Sequence, residues 1–594
     1  MAKLFESTWR SGYEFIERYY DTNINQSVNK KITVPYEWYE EQSNGLYSSI
    51  LDDSIRLDKK QGNAKQGRGH YGFLDPMYRN IRDNYWDNDG YNLTPRVFYL
   101  DIETRVSTSY KHAINPHQKL TIRNLSQESV VTVGDIRENF YNSGAASTEY
   151  HDTVTDSWVL LKNSIYMERN TGFPVPEKAL EPISLMQFYD NKSKVMFILG
   201  TRDWKHKEDY DFDYEVKYIR CENEIQLIET FIKIFKSLDP LIIFAWNGSG
   251  FDFPYIHNRI KNLGMDPNLL SNHGKVQYTE GEFQGKIDFK FKADGHFYID
   301  LMEVYKKFTF EPRPSFSLDT IAEIELGERK VAHTEYAAFD DFYSGKYIIP
   351  EEPTEQQKES AIYKCAIAND LDEVRELAHS EFCYYGAQDT MLIKKLDDKL
   401  NLTALMAMIA EKMGVQIGDS MGTVKPWSQY ILNTSMKDQK VIPPRKEHPD
   451  PHVVGGYVRE PNRGKHKWVI SADVKSMYPL LGMVGFNMSP ETFVPIHKLP
   501  DNLKDIVLQY FSDQDEENRI NLDQCVWQRT TELLKEHELS LSINGAAFTN
   551  DRIGLVPEMV QDISKSRTNA KQIMLSHEKQ NIIIADIIKS RELN

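Results

Sequence analysis

The sequence predicts a multidomain protein that mixes α/β and α+β architecture, and three observations lead to this fold class. The chain has 594 residues, which suggests roughly three to five domains. Helical apolar spacing over 222–240 is followed directly by the strand-like run LIIFAW at 241–246, as in an alternating α/β segment. A helical zone over about 357–415 and one long helical pattern over 557–594 add extended helical segments to this alternation.

Composition is that of an ordinary globular chain, with 40% hydrophobic and 12% aromatic residues. The apolar runs, such as LIIFAW, are far shorter than the roughly 20 residues that span a bilayer, so we expect no membrane segment. The N-terminal stretch MAKLFESTWRSGYEF lacks the apolar core of a signal peptide. The four cysteines form neither a zinc pattern nor a disulfide framework, which favours a reducing cytoplasm: Cys221, Cys365, Cys383 and Cys525.

The net charge is −17, from 88 acidic and 71 basic residues. A negative sum by itself argues against nucleic acid as a partner. An enzyme that confines its basic residues to one groove is nevertheless compatible with such a sum, and a site that collects metal ions needs acids. Net charge therefore does not decide whether nucleic acid is a partner of this chain.

The stretch RVFYLDIETR at 96–105 places two acids at the end of an apolar strand. Residues i and i+2 of a strand point to the same face, so Asp101 and Glu103 would lie side by side. Like charges so placed repel unless a positive group lies between them. Taken alone, such a pair is more often a solvated turn than a metal site.

Two later stretches add three candidate residues. AWNGSGFDFPYIHNRI (245–260) places Asp252 just after a strand and turn, and FCYYGAQDTMLIKKL (382–396) places Tyr385 and Asp389 on one face of a helix. Singly, these acids are more often helix caps or surface charges. Four carboxylates in one pocket would need cations, and Mg²⁺ or Mn²⁺ takes such oxygen ligands. Two ions about 3.5–4 Å apart activate a water and stabilise the leaving oxygen of a phosphodiester.

The ordered combination DIE, NGSGFD and YGAQD resembles the three motifs of the DEDDy-type proofreading 3′→5′ exonucleases, as found in family B DNA polymerases. The resemblance implies an RNase H-like exonuclease domain in which Tyr385 positions the nucleophilic water, and Asn247 and Phe251 shape the pocket for a frayed 3′ end. It also implies that four acids are the metal ligands: Asp101, Glu103, Asp252 and Asp389.

Two further segments, 297–322 and 424–444, resemble the replicative polymerases of T-even-type phages, whereas residues before 95 match poorly. This resemblance implies an N-terminal polymerase domain, an exonuclease domain with an insertion over about 104–171, a return to the N-terminal domain or linker, a partial palm, and the first half of the fingers. The corresponding ranges are 1–95, 96–402, 403–444, 445–553 and 554–594.

A second site is expected in WVISADVKSMYPLLGMVGFNMSPET (468–492), where an apolar strand ends at Asp473. The stretch resembles motif A of the polymerase palm. On that resemblance Asp473 binds the catalytic metals, the backbone around Ser476 and Met477 holds the triphosphate, and the Tyr478 ring lies under the incoming sugar. The alternative is a buried strand with a capping aspartate, followed by a packed Tyr-Pro.

GLVPEMVQDISKSRTNAKQIML (554–575) resembles the first fingers helix, and GGYVREP (455–461) resembles a segment that contacts template. Arg567 and Lys571 are four residues apart and share one helix face, which suits the triphosphate of a dNTP. A solvated basic face is the alternative for this pair.

Motif B and motif C of the family, written K-x-x-x-N-S-x-Y-G and Y-G-D-T-D, are absent from the sequence. One acid cannot hold two metals for phosphoryl transfer, so synthesis would need a second polypeptide that carries both motifs and the thumb. A split polymerase and a truncated chain or interrupted reading frame both fit. The apolar stretch NIIIADIIKSRELN, which would need a partner helix, favours the split slightly.

The expected function is therefore the N-terminal part of a replicative DNA polymerase with a proofreading exonuclease, acting in the cytoplasm of an infected bacterial host. Its partners would be primer–template DNA, single-stranded 3′ ends, dNTPs, the second polypeptide and a sliding clamp, with no membrane. The rival hypotheses are a stand-alone exonuclease that kept a vestigial palm, and a non-catalytic DNA-binding scaffold subunit.

Overall fold

A computed structural model describes most of the chain. The residues outside its described part are 1–2, 12–13, 63–69, 87–93, 106–118, 125–126, 133–146, 153–156, 162–173, 180, 284–285, 334, 337–338, 445–459, 475, 512–522, 543 and 593–594. Most of the GGYVREP segment therefore lies outside the described residues.

Strands occur along the chain as far as residue 549. In chain order they are β1 Lys3–Ser11, β2 Glu14–Asp21, β3 Gln26–Ile32, β4 Tyr36–Glu41, β5 Tyr47–Ser49, β6 Arg56–Gly62, β7 Tyr71–Leu74, β8 Val97–Thr104, β9 Lys119–Asn124, β10 Gln127–Thr132, β11 Thr148–Asp152, β12 Ser157–Leu160, β13 Ile183–Asp190, β14 Val195–Gly200, β15 Glu215–Arg220, β16 Ile242–Ala245, β17 Val276–Phe283, β18 Lys286–Ala293, β19 Phe297–Asp300, β20 Lys440–Val441, β21 Phe493–Val494, β22 Leu539–Leu541 and β23 Ala547–Thr549.

The α-helices lie mostly in the second half of the chain. They are α1 Pro76–Asn84, α2 Glu224–Leu238, α3 Asp252–Asn262, α4 Leu301–Phe308, α5 Leu318–Leu326, α6 Phe339–Ser344, α7 Glu355–Glu359, α8 Ala361–Ile367, α9 Leu371–Leu400, α10 Leu402–Met413, α11 Val424–Lys437, α12 Asp501–Tyr510, α13 Gln524–Glu536 and α14 Leu555–Glu592.

The chain forms two compact units. The first unit comprises Met1–Thr33 and Asp87–Gly422, and the second comprises Val34–Trp86 and Thr423–Asn594. This mixture of sheets and helices in separate units is the mixed α/β multidomain fold that the sequence predicts. The finer domain boundaries remain a prediction.

A six-stranded mixed sheet in the order β15-β14-β13-β8-β16-β19 organises the first unit. Strand β13 pairs antiparallel with β8 on one side and with β14 on the other, whereas β16 runs parallel to both β8 and β19. The β8, β16 and β19 strands therefore deliver their carboxyl ends to the same edge of the sheet. The predicted hairpin at 183–199 is confirmed as β13 and β14.

The core on one face of this sheet consists of apolar residues from its strands and from the helices that pack against it. Leu227, Phe231 and Phe235 recur on one face of α2 and are buried against β13 residues such as Phe188. Helix α2 ends at Leu238, and its cap Asp239 takes the left-handed conformation one residue before Pro240, which cannot continue the helix.

The 30-residue helix α9 packs against β8 and β13. Tyr99 on β8 donates a hydrogen bond of 2.6 Å to Asp397 on α9, which fixes the helix to the sheet by a buried polar link. Because α9 carries Tyr385 and Asp389, this packing brings a distant part of the chain onto the strand that carries Asp101 and Glu103.

The predicted insertion forms a small sheet of its own in the order β10-β9-β11-β12, within the described part of 104–171. Leu120 and Ile122 alternate along β9 as its buried residues, and Arg123 lies 4.3 Å above the Trp158 ring. The segment is thus folded as a separate antiparallel sheet of the first unit.

The second unit contains a five-stranded sheet in the order β20-β5-β6-β4-β7 and a three-stranded sheet β21-β23-β22. Residues 440–441 pair with 48–49, so the chain returns after α11 to the sheet built by residues 36–74. The long predicted helix at 557–594 is confirmed as α14.

The strand expected at 468–474 does not form, and this prediction from the apolar pattern is wrong. The segment is exposed instead: Trp468, Val469 and Ile470 expose 96%, 76% and 92% of their surface. A strand needs hydrogen-bonding neighbours, and within the described residues none pairs with this segment. An apolar pattern alone cannot supply them.

Candidate active site

Strand β8 presents the first two acids. Asp101 stands opposite Gln187 of β13 in the antiparallel ladder, and the Gln187 side-chain amide donates to Asp101 Oδ2 at 2.9 Å. Glu103 follows two residues later and is buried, and Ser184 Oγ donates to its backbone carbonyl at 2.9 Å. The alternation of a strand therefore places both carboxylates on one face.

The third acid is delivered by the turn that follows β16. The chain leaves Ala245, passes through Asn247 in the left-handed region (φ 60°), and starts α3 at Asp252. Gly248 has no room for a side chain, because a Cβ there would lie 2.7 Å from both Ala245 and the Phe253 ring. The Asp252 side chain is thereby placed at the start of α3, where it is buried with 3% of its surface exposed.

Helix α9 supplies the remaining predicted residues. Tyr385 and Asp389 lie one turn apart, and both are buried, with 7% and 1% of their surface exposed. The tyrosine hydroxyl hydrogen-bonds the Asp389 carboxylate. The structure therefore brings together all five residues that the sequence predicts for the first site.

This donor set fits hard divalent cations. One carboxylate oxygen each of Asp101, Glu103 and Asp389 lies within 4.8 Å of the others. Asp389 Oδ1 is buried and has no hydrogen-bond partner in the described part of the chain. A buried anionic oxygen without a partner is costly, and coordination to a cation satisfies it.

Lys330 is a residue of the site that the sequence reasoning missed. It lies between α5 and α6, where its backbone N–H donates to Asp319 Oδ1 at 3.0 Å. Its Nζ lies 2.5 Å from Asp389 Oδ2 and 3.4 Å from the Tyr385 hydroxyl. Nothing in the local sequence ERKVAH distinguishes this lysine from the other lysines of the chain; only the packing against α9 does.

Burial and mutual repulsion shape the protonation of the acids. Burial, followed by repulsion from Asp389, raises the pKa of Asp101 to about 7. Burial and the Asp101 charge raise the pKa of Glu103 and Asp252 well above their usual range. Burial alone would lower the pKa of Lys330, but the neighbouring carboxylates raise it. One ammonium therefore interacts with three of the four acids, Asp101, Glu103 and Asp389, which leaves the pocket in need of further positive charge.

A second group of potential ligands is formed by Asp239, His273 and His296, and Asp239 and His296 already contact other protein groups. Asp239 pairs with the buried guanidinium of Arg18, whose Nη1 lies 3.1 Å from Oδ2. His296 Nδ1 lies 2.6 Å from the Pro240 carbonyl oxygen, and its Nε2 accepts from the Asn272 N–H at 3.1 Å. These contacts join β2 to the end of α2, and we interpret them as a structural network.

The residues predicted for the polymerase site lie in the second unit. Asp473 is exposed. It belongs to neither of the two groups of three potential metal ligands found among the described residues. Ser476 takes a left-handed conformation (φ 53°) before a π-helical turn over Met477–Val484. Met477 and Tyr478 are exposed, by 48% and 73%. All four residues therefore lie at exposed or half-buried positions on one short segment of the second unit.

The predicted triphosphate ligands Arg567 and Lys571 lie one turn apart on α14, and both are exposed. The start of this helix is held by the 485–492 segment: Gly554 N–H donates to Asn487 Oδ1 at 2.8 Å, and Val556 N–H donates to Ser489 Oγ at 3.3 Å. The helix is anchored at its N-terminal end, with both cations on accessible positions.

Comparison with known proteins matches residues 96–321 to a family model described as DNA polymerase family B, exonuclease domain. The chain is similar to the DNA-directed DNA polymerase of Escherichia phage RB69, with 25% identity over 71% of this chain and 43% of that protein. It is also similar to the DNA-directed DNA polymerase of Enterobacteria phage T4, with 22% identity over 87% of this chain and 55% of that protein.

A DNA polymerase of Thermococcus litoralis is 25% identical over 46% of this chain and 14% of its own length. The chain thus spans about half the length of the two phage relatives. Among the described helices, none is both long and apolar enough to cross a membrane.

Proposed function

Because residues 96–321 are an exonuclease domain of DNA polymerase family B, we propose that this chain removes nucleotides from DNA 3′ ends by hydrolysis. The observation that carries the proposal is the convergence of Asp101, Glu103 and Asp389, whose carboxylate oxygens lie within 4.8 Å of one another. Their separation in sequence, 101 to 389, makes such a convergence hard to explain by packing alone.

We further propose that the six-stranded sheet with α9 is an RNase H-like domain of the DEDDy type.

The metal ligands in this proposal are Asp101, Glu103, Asp252 and Asp389, with Mg²⁺ or Mn²⁺ as the ion. When bound there, a pair of divalent cations lowers the pKa of a water and stabilises the oxygen that leaves phosphorus. The oxygen-only donor set and the unpartnered Asp389 Oδ1 support this choice of ion class.

The reaction itself is a displacement at phosphorus. The water oxygen bonds to the phosphorus of the terminal nucleotide, and the bond from phosphorus to the O3′ of the preceding nucleotide breaks. The electron pair and a proton pass to that O3′, and a nucleoside monophosphate leaves. The Tyr385 hydroxyl, held against Asp389, orients the water, and Lys330 beside both groups fixes their geometry.

A 5′-labelled single strand incubated with the purified chain and Mg²⁺ tests the proposal. We expect stepwise shortening, and we expect Asp252→Ala to abolish it while DNA binding is retained. Asp266→Ala is a matched control, because Asp266 is exposed and lies just beyond the other end of the same helix. Shortening by the Asp252→Ala variant at the wild-type rate would refute the metal-site assignment.

For the second unit, we propose half of a DNA polymerase site, with Asp473 as one metal ligand. In the proposal Ser476, Met477, Tyr478, Arg567 and Lys571 contact the dNTP, and the acid of motif C and the residues of motif B come from polypeptide outside this sequence. The exposed apolar run Trp468 to Ile470 supports it, because such a run is normally covered.

A primed template with all four dNTPs tests this second part. We expect no extension by the chain alone and extension after a polypeptide that carries motifs B and C is added. Extension by the chain alone would show that the site is completed from within these residues. Failure of every such polypeptide to restore synthesis would favour a stand-alone exonuclease, and the exonuclease assay above is unaffected by either result. Action inside an infected bacterial host, on primer–template DNA and with a sliding clamp, remains part of the same proposal.

A further inference from the structure

Asp300 lies behind the candidate active site, at the carboxyl end of β19. Strand β19 runs parallel to β16, and Asp300 stands opposite Ala245 in the ladder. Its side chain is buried, with 5% of its surface exposed. It therefore sits at the point where the chain leaves β16 and turns toward Asp252.

The Asp300 carboxylate accepts three backbone hydrogen bonds. Its Oδ1 accepts from the N–H of Asn247 at 3.0 Å and from that of Met302 at 3.0 Å, and its Oδ2 accepts from the N–H of Ser249 at 3.3 Å. The Met302 bond caps its own helix α4. The other two bonds clamp the turn between β16 and α3.

That turn is coupled directly to the first residues of α3. The Asn247 carbonyl accepts from the N–H groups of Gly250 and Phe251, and the Gly248 carbonyl accepts from that of Phe253. Asn247 holds a left-handed conformation (φ 60°), which asparagine tolerates better than most residues with a side chain, and the two Asp300 bonds fix the turn in that shape. A shift of Asn247 or Ser249 therefore moves the start of α3, where Asp252 is placed.

We propose that Asp300 is a positioning residue for the nuclease, whose carboxylate holds the 246–251 turn so that Asp252 reaches the metal site. The inference rests on the proposed exonuclease function. It assigns Asp300 no contact with substrate or metal; the residue acts through the backbone of the turn. Partners that orient a metal ligand commonly change metal affinity or activity about 10–100-fold when they are removed.

Asp300→Ser separates the two roles of the Asp300 carboxylate, which are to hold the 246–251 turn and to cap helix α4. Serine is a good helix cap and keeps an acceptor for the Met302 N–H, but it is too short to bridge Asn247 and Ser249. We expect the Mg²⁺ concentration for half-maximal nuclease activity to rise about 10-fold or more, with the KM for DNA little changed. Ser317→Ala is the matched control, because it removes the cap of the neighbouring helix α5 and leaves the turn intact.

Direct Mn²⁺ binding, measured by titration without DNA, supplies a readout that does not depend on activity. We expect weaker binding in Asp300→Ser than in Ser317→Ala at equal thermal stability. In an Asp252→Ala background, Asp300→Ser should have no further effect on Mn²⁺ binding, since the two residues act on the same ligand. If Asp300→Ser loses its fold, Asp300→Asn, which keeps one acceptor oxygen and the side-chain volume, takes its place.

The outcomes are distinguishable. Wild-type metal binding and Mg²⁺ dependence in the folded Asp300 variants would overturn the positioning role while leaving the exonuclease proposal intact. Additive effects of Asp252→Ala and Asp300→Ser would overturn it too. A wild-type chain that neither binds Mn²⁺ nor shortens DNA would instead refute the proposed function on which the inference rests.

Discussion

Lys330 Nζ lies 2.5 Å from Asp389 Oδ2, on the helix face that also carries Tyr385. The second oxygen of the same carboxylate, Oδ1, is buried without a hydrogen-bond partner in the described part of the chain. One oxygen of Asp389 is thus engaged by a fixed cation, while the other is available to a metal ion. The contact orients the carboxylate and offsets part of the charge that four acids accumulate.

Replacing Lys330 with methionine keeps an unbranched side chain of nearly the same length and removes its charge. We expect nuclease turnover to fall about 10–100-fold, because the orientation of Asp389 and of the Tyr385 hydroxyl is lost. Metal binding should not weaken, since the pocket becomes more negative. Turnover and Mn²⁺ titration measured side by side check both parts. Lys346→Met is the control, as Lys346 is exposed and pairs with Asp341 away from the candidate site residues. Equal turnover in the two variants would contradict the role.

Stability should depend on pH through the buried His379. Burial, followed by the charge of Arg202, lowers the pKa of His379 to about 3 in the folded chain. Its unfolded value is about 6.5, so below that pH the unfolded chain binds a proton that the folded chain excludes. The stabilisation is therefore present above pH 6.5 and is lost as the pH falls from 6.5 toward 3.

His379→Phe replaces the imidazole with an aromatic ring that can also pack against Tyr343. The new ring cannot take up a proton. We expect the melting temperature of this variant to fall less steeply between pH 6.5 and 4 than that of the wild type. Thermal melts at half-unit pH steps measure the slope. His537→Gln, at an exposed position, should follow the wild-type slope; a His379→Phe slope identical to it would refute the assignment.

Truncation of the Phe188 side chain should destabilise the core of the first unit. Its ring stacks on Phe98 and Phe197 and meets Phe231 edge-on, and it is fully buried. Phe188→Ala should lower the free energy of unfolding by about 3–5 kcal/mol, because it removes buried area and leaves a cavity. Phe310→Ala, at a position 93% exposed, should change it by less than about 0.5 kcal/mol. Urea unfolding of both variants makes the comparison.

The exposed run Trp468, Val469 and Ile470 should promote self-association of the chain. Replacing Trp468 and Ile470 with serine removes most of its apolar surface, so we expect less concentration-dependent association in sedimentation experiments. Nuclease activity should be unchanged, because the candidate nuclease residues all belong to the first unit. Replacing the exposed Val130 of β10 with serine is the control for loss of apolar surface elsewhere. Association unaffected by the double change would show that another surface is responsible.

The sequence by itself determined the local parts of this protein. The spacing of Asp101 and Glu103 depends only on strand alternation, and that of Tyr385 and Asp389 only on the helical turn, so both pairs are found on one face as predicted. Helix α2 and its stop at Asp239, the hairpin at 183–200 and the helix at 555–592 follow from equally local patterns.

Tertiary structure alone decided which of these parts meet. Lys330, Gln187 and Asp300 reach the site because a loop, a neighbouring strand and a parallel strand end pack there, and no local pattern marks them. The reverse holds at 468–474, where an apolar pattern predicted a strand but none of the described strands pairs with the segment. Periodicity reports the faces of single elements, whereas hydrogen-bond partners and charge neighbours come from segments that are distant in the chain.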